Sequence, residues 1–215
     1  PLISNATPID FPSDVTEIDA KIAAIGYPIR KSIKREEDLA KLSQIREELA
    51  LLPNSDVIVV SAGGVGYDNK KSVAHPFFKI ARELLLTKQE YEKPLEVVFI
   101  CGSNESLFYK LHDFLGNLSL EHQHRQITFR IEGFVEEDLL SKYYKVSSVL
   151  AIKPGGSTTA EALKMGKKAI CFNSISWELA NQNLLVKKGL GYPFEKGNFA
   201  KFLKMVLKKE EPPYE

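Results

Sequence analysis

The sequence predicts an α/β fold in which a doubly wound parallel sheet is covered by helices on both faces. Short apolar runs alternate with helical segments five times along the chain. Each run is mostly apolar, which is typical of strands buried on both faces of a parallel sheet. Small or polar residues follow each run, as expected for tight connections from a strand to the next helix.

Composition indicates an ordinary globular protein, with 215 residues, 44% hydrophobic and 27% charged. The net charge of +1 creates no global field that would recruit nucleic acid. No apolar run approaches the roughly 20 residues of a membrane-spanning helix, and nothing resembles a signal peptide. We therefore expect a cytoplasmic protein.

Cysteine and histidine usage argues against disulfides and metals. Cys101 and Cys171 each end an apolar, strand-like run, which predicts buried free thiols in a reducing compartment. His122 and His124 have the spacing of some metal sites, but no third ligand lies nearby in the sequence. A polar loop is therefore the favoured interpretation, and we expect no metal.

The start of the sequence suggests an incomplete chain. The chain starts at Pro1, and its two methionines, Met165 and Met205, cannot be initiators, so we expect a fragment or a processed chain. Residues 1–34 include Pro8, Pro12 and Pro28 and show no regular pattern, which predicts a linker or the tail of a preceding domain. One domain is then expected over 35–209, with a short tail over 210–215.

Apolar periodicity places the elements. Helical spacing covers 35–52 and is followed by predicted strands over 57–60, 95–100, 127–131, 148–152 and 168–172. The intervening helices are expected over 75–86, 106–116, 136–146, 159–166, 177–189 and 198–209. The last helix fits either a solvated amphipathic helix or a membrane contact through its basic and apolar residues Lys201, Phe202, Lys204, Lys208 and Lys209.

Parallel sheets bind ligands beyond the carboxyl ends of their strands, so the five loops there are the candidate site. They span 61–68, 101–105, 132–135, 153–158 and 173–178.

The first two loops are rich in small residues. The glycines of the first loop, Gly63, Gly64 and Gly66, suit either a phosphate or a plain tight turn. In the second loop, Ser103 or Asn104 is expected to cap the next helix.

The third and fourth loops carry the more specific features. Phe134 and Val135 fit either a cover for a flat base or a hydrophobic staple. In IKPGGSTTAEAL (152–163), we expect a hydroxyl of Ser157, Thr158 or Thr159 to cap a helix whose N-terminal amides face a diphosphate.

Two carboxylates and an amide complete the pattern. Glu161 fits either helix-dipole compensation or hydrogen bonds to a sugar diol. Glu178 and Asn181, three residues apart on one helix face, fit either bonds to hydroxyl groups or simple solvation.

Six motifs in order resemble the C-terminal, donor-binding half of the GT-B glycosyltransferases of family 28. They are GYPIR (26–30), SAGGVG (61–66), CGSN (101–104), EGFVEEDL (132–139), IKPGGSTTAEAL and Glu178-x-x-Asn181 before GLG (189–191). The family includes the N-acetylglucosaminyltransferase that makes lipid II and the diacylglycerol galactosyl- and glucosyltransferases. The resemblance implies a Rossmann-like domain that binds a UDP-sugar.

The resemblance also implies roles for single residues. Val135, with Phe134 beside it, is expected at the uracil, and Glu161 at the ribose hydroxyls. Glu178 and Asn181 match positions that contact the transferred sugar. The positions expected along the diphosphate are Arg30, Gly64, Val65, Gly66, Ser157 and Thr158.

The sequence departs from the family at two of these places. Val65 stands where a serine or threonine often precedes the last glycine, and Trp177 replaces a glutamine beside the sugar. Trp177 therefore puts the identity of the sugar in doubt. The family's N-terminal acceptor half, which supplies the general base, is not part of these 215 residues, and no D-x-D motif stands in the sequence.

The expected reaction is attack of an acceptor hydroxyl, in many relatives a lipid, on the anomeric carbon, with inversion and loss of UDP. It needs no metal and takes place at the cytoplasmic membrane face. Two alternatives stay open: a UDP-sugar epimerase on the same fold, for which Glu178 is the one acid/base candidate, and a non-catalytic binding subunit that needs a partner chain.

Overall fold

Six parallel strands form one sheet in the computed structural model, which describes residues 28–65, 76–87, 90–121, 126–172, 174–194 and 197–208. The strand order is β3-β2-β1-β4-β5-β6, and every pairing is parallel. The strands are β1 (Asp56–Ser61), β2 (Leu95–Ile100), β3 (Ile127–Glu132), β4 (Val149–Ile152), β5 (Lys168–Phe172) and β6 (Gly191–Phe194). The order reverses between β1 and β4, which is the switch point where Rossmann-like sheets form a crevice.

Helices cover both faces of the sheet, as predicted. They are α1 (Leu39–Glu48), α2 (Pro76–Leu85), α3 (Glu105–Glu121), α4 (Glu137–Val146), α5 (Gly156–Met165), α6 (Leu179–Lys187) and α7 (Phe199–Lys208). Alternate strand residues point to opposite faces, so Ile58 and Val60 pack with α2, α3 and α7. Val57 and Val59 pack with α1, α4 and α5 on the other face. Two separate apolar cores result.

The prediction of five strands is wrong by one, because β6 pairs with β5 at the edge of the sheet. This strand has four residues, begins at a glycine and contains Pro193. Proline is tolerated at a sheet edge, where its missing N–H costs no ladder bond. Phe194 fixes the strand through edge-on contacts with Phe199 of α7.

Three of the seven predicted helices begin or end three or more residues away from their predicted bounds. The 35–52 helix shortens to Leu39–Glu48, because the Asp38 side chain caps it through Ala40 N at 2.9 Å and Ala50 adopts a positive φ of 50° beyond its end. The 106–116 helix extends to Glu105–Glu121. The 159–166 helix begins three residues early, at Gly156, which matters for the site.

Several smaller predictions have clear outcomes. Cys101 and Cys171 are buried free thiols, which confirms the prediction. One face of α7 is buried, and its Phe202 packs against Phe194. The histidines of the H-x-H pair lie outside the described residues. Within the described ranges, no helix combines the length and the apolarity that crossing a membrane requires.

Residues 28–33 pack along α4 as a short strap. Ile33 is fully buried in the core of that face. The Ser32 hydroxyl donates to Glu137 Oε1 at 2.6 Å, and the Ser141 hydroxyl donates to Ser32 O at 2.8 Å. This strap carries Arg30 to the carboxyl edge of the sheet.

Candidate functional site

A cleft of about 330 Å³ opens at the carboxyl edge of the sheet, beside the switch point. Its walls come from the strap, the loop after β1, the ends of β2 and β3, and the first turns of α4 and α5. The lining residues are Arg30, Ser61, Gly63, Gly64, Ile100, Gly102, Phe134, Val135, Glu136, Glu137, Leu140, Tyr144, Thr158 and Glu161. Segments distant in sequence therefore meet where the fold class predicts a ligand.

The glycine loop after β1 rests on the end of β2. Ser103 N donates to Gly64 O at 2.9 Å. Gly102 has a φ of +62°, and a Cβ there would lie 2.9 Å from Gly63 O and 2.8 Å from Gly64 C. Only glycine fits this position without displacing the loop. Gly66, the last glycine of the motif, lies outside the described residues, and Val65 is exposed and outside the cleft lining.

Glu161 places a buried carboxyl group in the wall of the cleft. Its side chain is 4% exposed, and its Oε1 lies 3.4 Å from Nε of Arg30, which is 41% exposed. Burial raises the pKa of Glu161, Arg30 lowers it in part, and the carboxylate of Glu137 raises it further. The pair places one carboxylate and one guanidinium side by side in the cleft.

The N-terminus of α5 is capped differently from the prediction. Gly155 is the N-cap and makes no side-chain cap bond, so the expected cap by Ser157, Thr158 or Thr159 is wrong. The helix begins early because the Gly155-Gly156 backbone turns directly into it. Thr158 lines the cleft, whereas the hydroxyl of Thr159 is buried with no hydrogen-bond partner among the described residues.

A second polar cluster holds the loop that leads into α5. Nζ of Lys153 lies 2.5 Å from Glu178 Oε1, with both side chains mostly buried. Glu178 Oε2 accepts from Ile175 N at 3.2 Å, and Asn181 Nδ2 donates to Pro154 O at 3.0 Å. Glu178 and Asn181 therefore share one face, as predicted, and in this structure they tie the loop after β5 to the loop after β4.

Phe134 and Val135 differ in their surroundings, and the structure supports the staple for Val135 alone. Val135 precedes the N-cap Glu136 and packs against the apolar cluster that contains Leu140, as a hydrophobic staple does. Phe134 stays 63% exposed at the cleft rim. Asn104 caps α3 through Leu107 N at 2.9 Å, which confirms one of the two caps predicted there.

The cleft brings together six of the predicted site residues and leaves out four others that the structure describes. Those in the lining are Arg30, Gly64, Phe134, Val135, Thr158 and Glu161. Those outside it are Val65, Ser157, Glu178 and Asn181.

Sequence reasoning missed two polar side chains at this edge, Tyr144 and Lys153. Lys153 stands inside the IKPGG motif, so its position was a usable signal. Over the part of the chain that the structure describes, no group of three or more His, Cys, Asp or Glu residues is arranged to hold a metal ion.

Curated relatives share the name processive diacylglycerol beta-glucosyltransferase. The protein of Bacillus licheniformis is 26% identical over 159 residues, covering 73% of this chain and 35% of the relative. That of Bacillus pumilus is 29% identical over 160 residues, covering 73% and 34%. The chain therefore spans about a third of the length of these relatives. No family model matches the chain.

Solved structures share the fold at low sequence identity. Anabaena HepE, solved in complex with UDP-glucose, has a TM-score of 0.54 at 15% identity, covering 83% of this chain and 44% of HepE. Acinetobacter baumannii MurG also has a TM-score of 0.54, at 14% identity, covering 87% and 48%. The chain therefore shares the Rossmann-like fold of these GT-B structures, and it resembles the C-terminal domain of family 28 glycosyltransferases.

Proposed function

We propose that this chain is the donor-binding domain of an inverting hexosyltransferase, which binds a UDP-sugar and helps transfer the hexosyl group to an acceptor hydroxyl. The observation that carries the proposal is the cleft itself. It sits at the switch point of the sheet and joins a glycine loop, a helix N-terminus and a buried carboxylate. These three features suit a diphosphate and a sugar diol.

The diphosphate half of the site is built from backbone. The first N–H groups of a helix are unpaired and carry a partial positive charge, which favours phosphate oxygens. Gly155 leaves those of α5 uncovered by any side-chain cap. Arg30 adds a full positive charge at the same cleft. Such preorganised charge would stabilise the UDP leaving group as the glycosidic bond breaks.

The nucleoside half of the site is built from side chains. Glu161 is paired with Arg30 through one oxygen, Oε1, and a carboxylate has acceptor capacity for further hydrogen bonds. We propose that it accepts hydrogen bonds from ribose hydroxyls, and that uracil lies against Val135 and the exposed ring of Phe134. A carboxylate that accepts from a diol holds it in one orientation.

Glu178 and Asn181 hold in place the loop over 153–155, which leads into the donor site. Their bonds to Lys153 and Pro154 fix the segment that starts α5. Direct contacts of these two side chains with the donor sugar stay a prediction. The same geometry disfavours the epimerase, because Glu178 is held by Lys153 and by the Ile175 amide.

The acceptor side of the reaction is inferred from relatives. The names of the curated relatives include diacylglycerol, and we propose that the acceptor here is a lipid hydroxyl at the cytoplasmic membrane face. The general base would come from an acceptor domain or a partner chain. The acceptor oxygen attacks the anomeric carbon, UDP leaves from the opposite side, and the configuration inverts without a metal.

Calorimetric titration of the chain with UDP tests the proposal, with a thermal-shift assay at millimolar UDP as a second readout. We expect saturable binding and an upward shift, because a ligand that binds only the folded state stabilises it. ADP, with the same diphosphate, should bind more weakly. The proposal would be contradicted if UDP gave neither saturable binding nor a thermal shift.

A further inference from the structure

Tyr144 lies at the inner wall of the cleft, one helical turn after Leu140 on α4. Both residues line the cleft, and the i, i+4 spacing places them on the same helix face. Only 1% of Tyr144 is exposed, and its ring packs in the apolar cluster beneath the cleft. Packing therefore fixes the ring, independently of any hydrogen bond that the hydroxyl makes.

The Tyr144 hydroxyl has no hydrogen bond to any residue that the structure describes, unlike those of two other buried tyrosines. Tyr91 donates to Ala200 O at 3.1 Å, and Tyr143 donates to Glu132 Oε1 at 2.5 Å. Buried polar groups nearly always have a hydrogen-bond partner, because a group that leaves water without gaining one destabilises the folded state. Tyr144 lines an open cleft, so a partner for its hydroxyl can arrive with the ligand.

The charged neighbours of Tyr144 are the two members of the ion pair, Arg30 and Glu161. Burial, followed by the Glu161 charge, raises the pKa of Tyr144, and Arg30 lowers it in part. The phenol therefore stays protonated near neutral pH. It can donate one hydrogen bond and accept another, whereas the ionised Glu161 only accepts and Arg30 only donates.

We infer that the Tyr144 hydroxyl is a hydrogen-bonding contact for the ligand of this cleft, at the same hydroxyl-bearing part that Glu161 holds. A ligand hydroxyl set between them donates to the carboxylate and accepts from the phenol, so all three groups are satisfied. This inference rests on the proposed function and adds Tyr144 to the ribose side of that site.

Tyr144→Phe tests the inference, with Tyr143→Phe as the matched control on the same helix. Tyr144→Phe keeps the packed ring and removes only the hydroxyl. We expect it to weaken UDP binding about 3- to 10-fold, the equivalent of one hydrogen bond. The melting temperature of the ligand-free protein should not fall, because the hydroxyl that is removed makes no hydrogen bond with the described residues. Tyr143→Phe should lower that temperature and leave UDP affinity unchanged.

A parallel titration with uridine locates the contact. The same fold-loss with uridine as with UDP supports a contact on the ribose, and a loss confined to UDP would overturn that placement. If the wild-type protein fails to bind UDP, the proposed function fails with the inference. If the wild type binds UDP and Tyr144→Phe binds it equally well, only the inference fails. A folding defect in Tyr144→Phe would also contradict it, because the hydroxyl would then have a partner in the empty protein.

Discussion

At the scale of single residues, Glu161 is a buried ionisable group of the cleft, and its pKa reflects both its burial and its Arg30 partner. Its carboxylate is nearly inaccessible to solvent, and the half-exposed Arg30 compensates it through one oxygen. Burial outweighs that compensation, since the pKa of Glu161 is raised. Folding therefore makes this residue harder to ionise, which is a cost at neutral pH and a measurable signature.

The raised pKa of Glu161 predicts a pH dependence of stability. Between the ordinary pKa near 4.5 and the raised value in the folded state, the folded protein binds more protons than the unfolded chain. The contribution of Glu161 is thus fully present below pH 4.5 and is lost as pH rises through the raised value. Glu161→Gln does not titrate. Urea unfolding at a series of pH values should show the free energy of unfolding of wild type falling relative to Glu161→Gln across this window, and a flat difference would contradict the assignment.

The sequence could indicate Glu161 but not Tyr144, for a physical reason. Glu161 follows a glycine loop at the end of a predicted strand, which is the edge where a parallel sheet binds ligands. Tyr144 lies in YYKV at a position where an apolar helix face is expected, so it reads as core. The ring of Tyr144 does pack in the apolar core, as the ring of Tyr143 does. The two tyrosines differ in that Tyr144 lines the cleft, which only the three-dimensional structure reveals.

At the scale of elements, two connections shape the site: the glycine loop over Gly102 and the loop over 153–155 that leads into α5. In the first, the segment after β2 bonds to the segment after β1. In the second, a residue that follows β5 bonds to the loop after β4. The cleft therefore depends on the relative placement of strand ends, which the sheet register fixes.

Gly102→Ala should weaken UDP binding by displacing the glycine loop. The new Cβ would meet Gly63 O at 2.9 Å, and the backbone φ of +62° disfavours alanine. We expect a stability loss of about 1–3 kcal/mol together with reduced UDP affinity, measured by urea unfolding and calorimetry. Gly116→Ala is the control, because nothing lies within 4 Å of its added Cβ and Gly116 lies in α3, outside the cleft lining. Equal UDP affinity in the two variants would contradict the role of Gly102.

The Lys153–Glu178 pair should behave as a buried salt bridge. Lys153→Met alone leaves the carboxylate buried without its cation and should cost about 3 kcal/mol of stability. Adding Glu178→Gln should recover most of that loss, because no charge is then left uncompensated. Urea unfolding of the single and double variants measures the coupling. Additive losses would mean that the two side chains do not act as a pair.

The helix start at Gly156 shows what local pattern reasoning can and cannot place. Three hydroxyl residues in a row favour a side-chain cap by propensity. In the structure the turn is made by the two glycines before them, and the hydroxyls fall within the first turn and a half. The sequence predicted the strand-to-helix connection correctly, but the capping residue depended on backbone geometry that propensity does not encode.

At the scale of the whole molecule, the strand order accounts for the position of the cleft. The reversal between β1 and β4 separates the connections at their carboxyl ends, and the cleft opens beside it. Alternation of apolar strands and helices was sufficient to predict this class of sheet. The sixth strand escaped prediction because four residues around a proline carry little periodic signal, and its place is fixed by pairing with β5.

The central claim is that this cleft binds a UDP group with Glu161 as an acceptor for it. Calorimetric titration of UDP into wild type and Glu161→Ala tests it most directly. Glu48→Ala is the control, because Glu48 also pairs with a basic residue, Lys142, but lies outside the cleft lining. We predict a roughly 10- to 100-fold loss of affinity for Glu161→Ala, from hydrogen bonds to a charged acceptor, and none for Glu48→Ala. Equal UDP affinity in wild type and Glu161→Ala would contradict the claim.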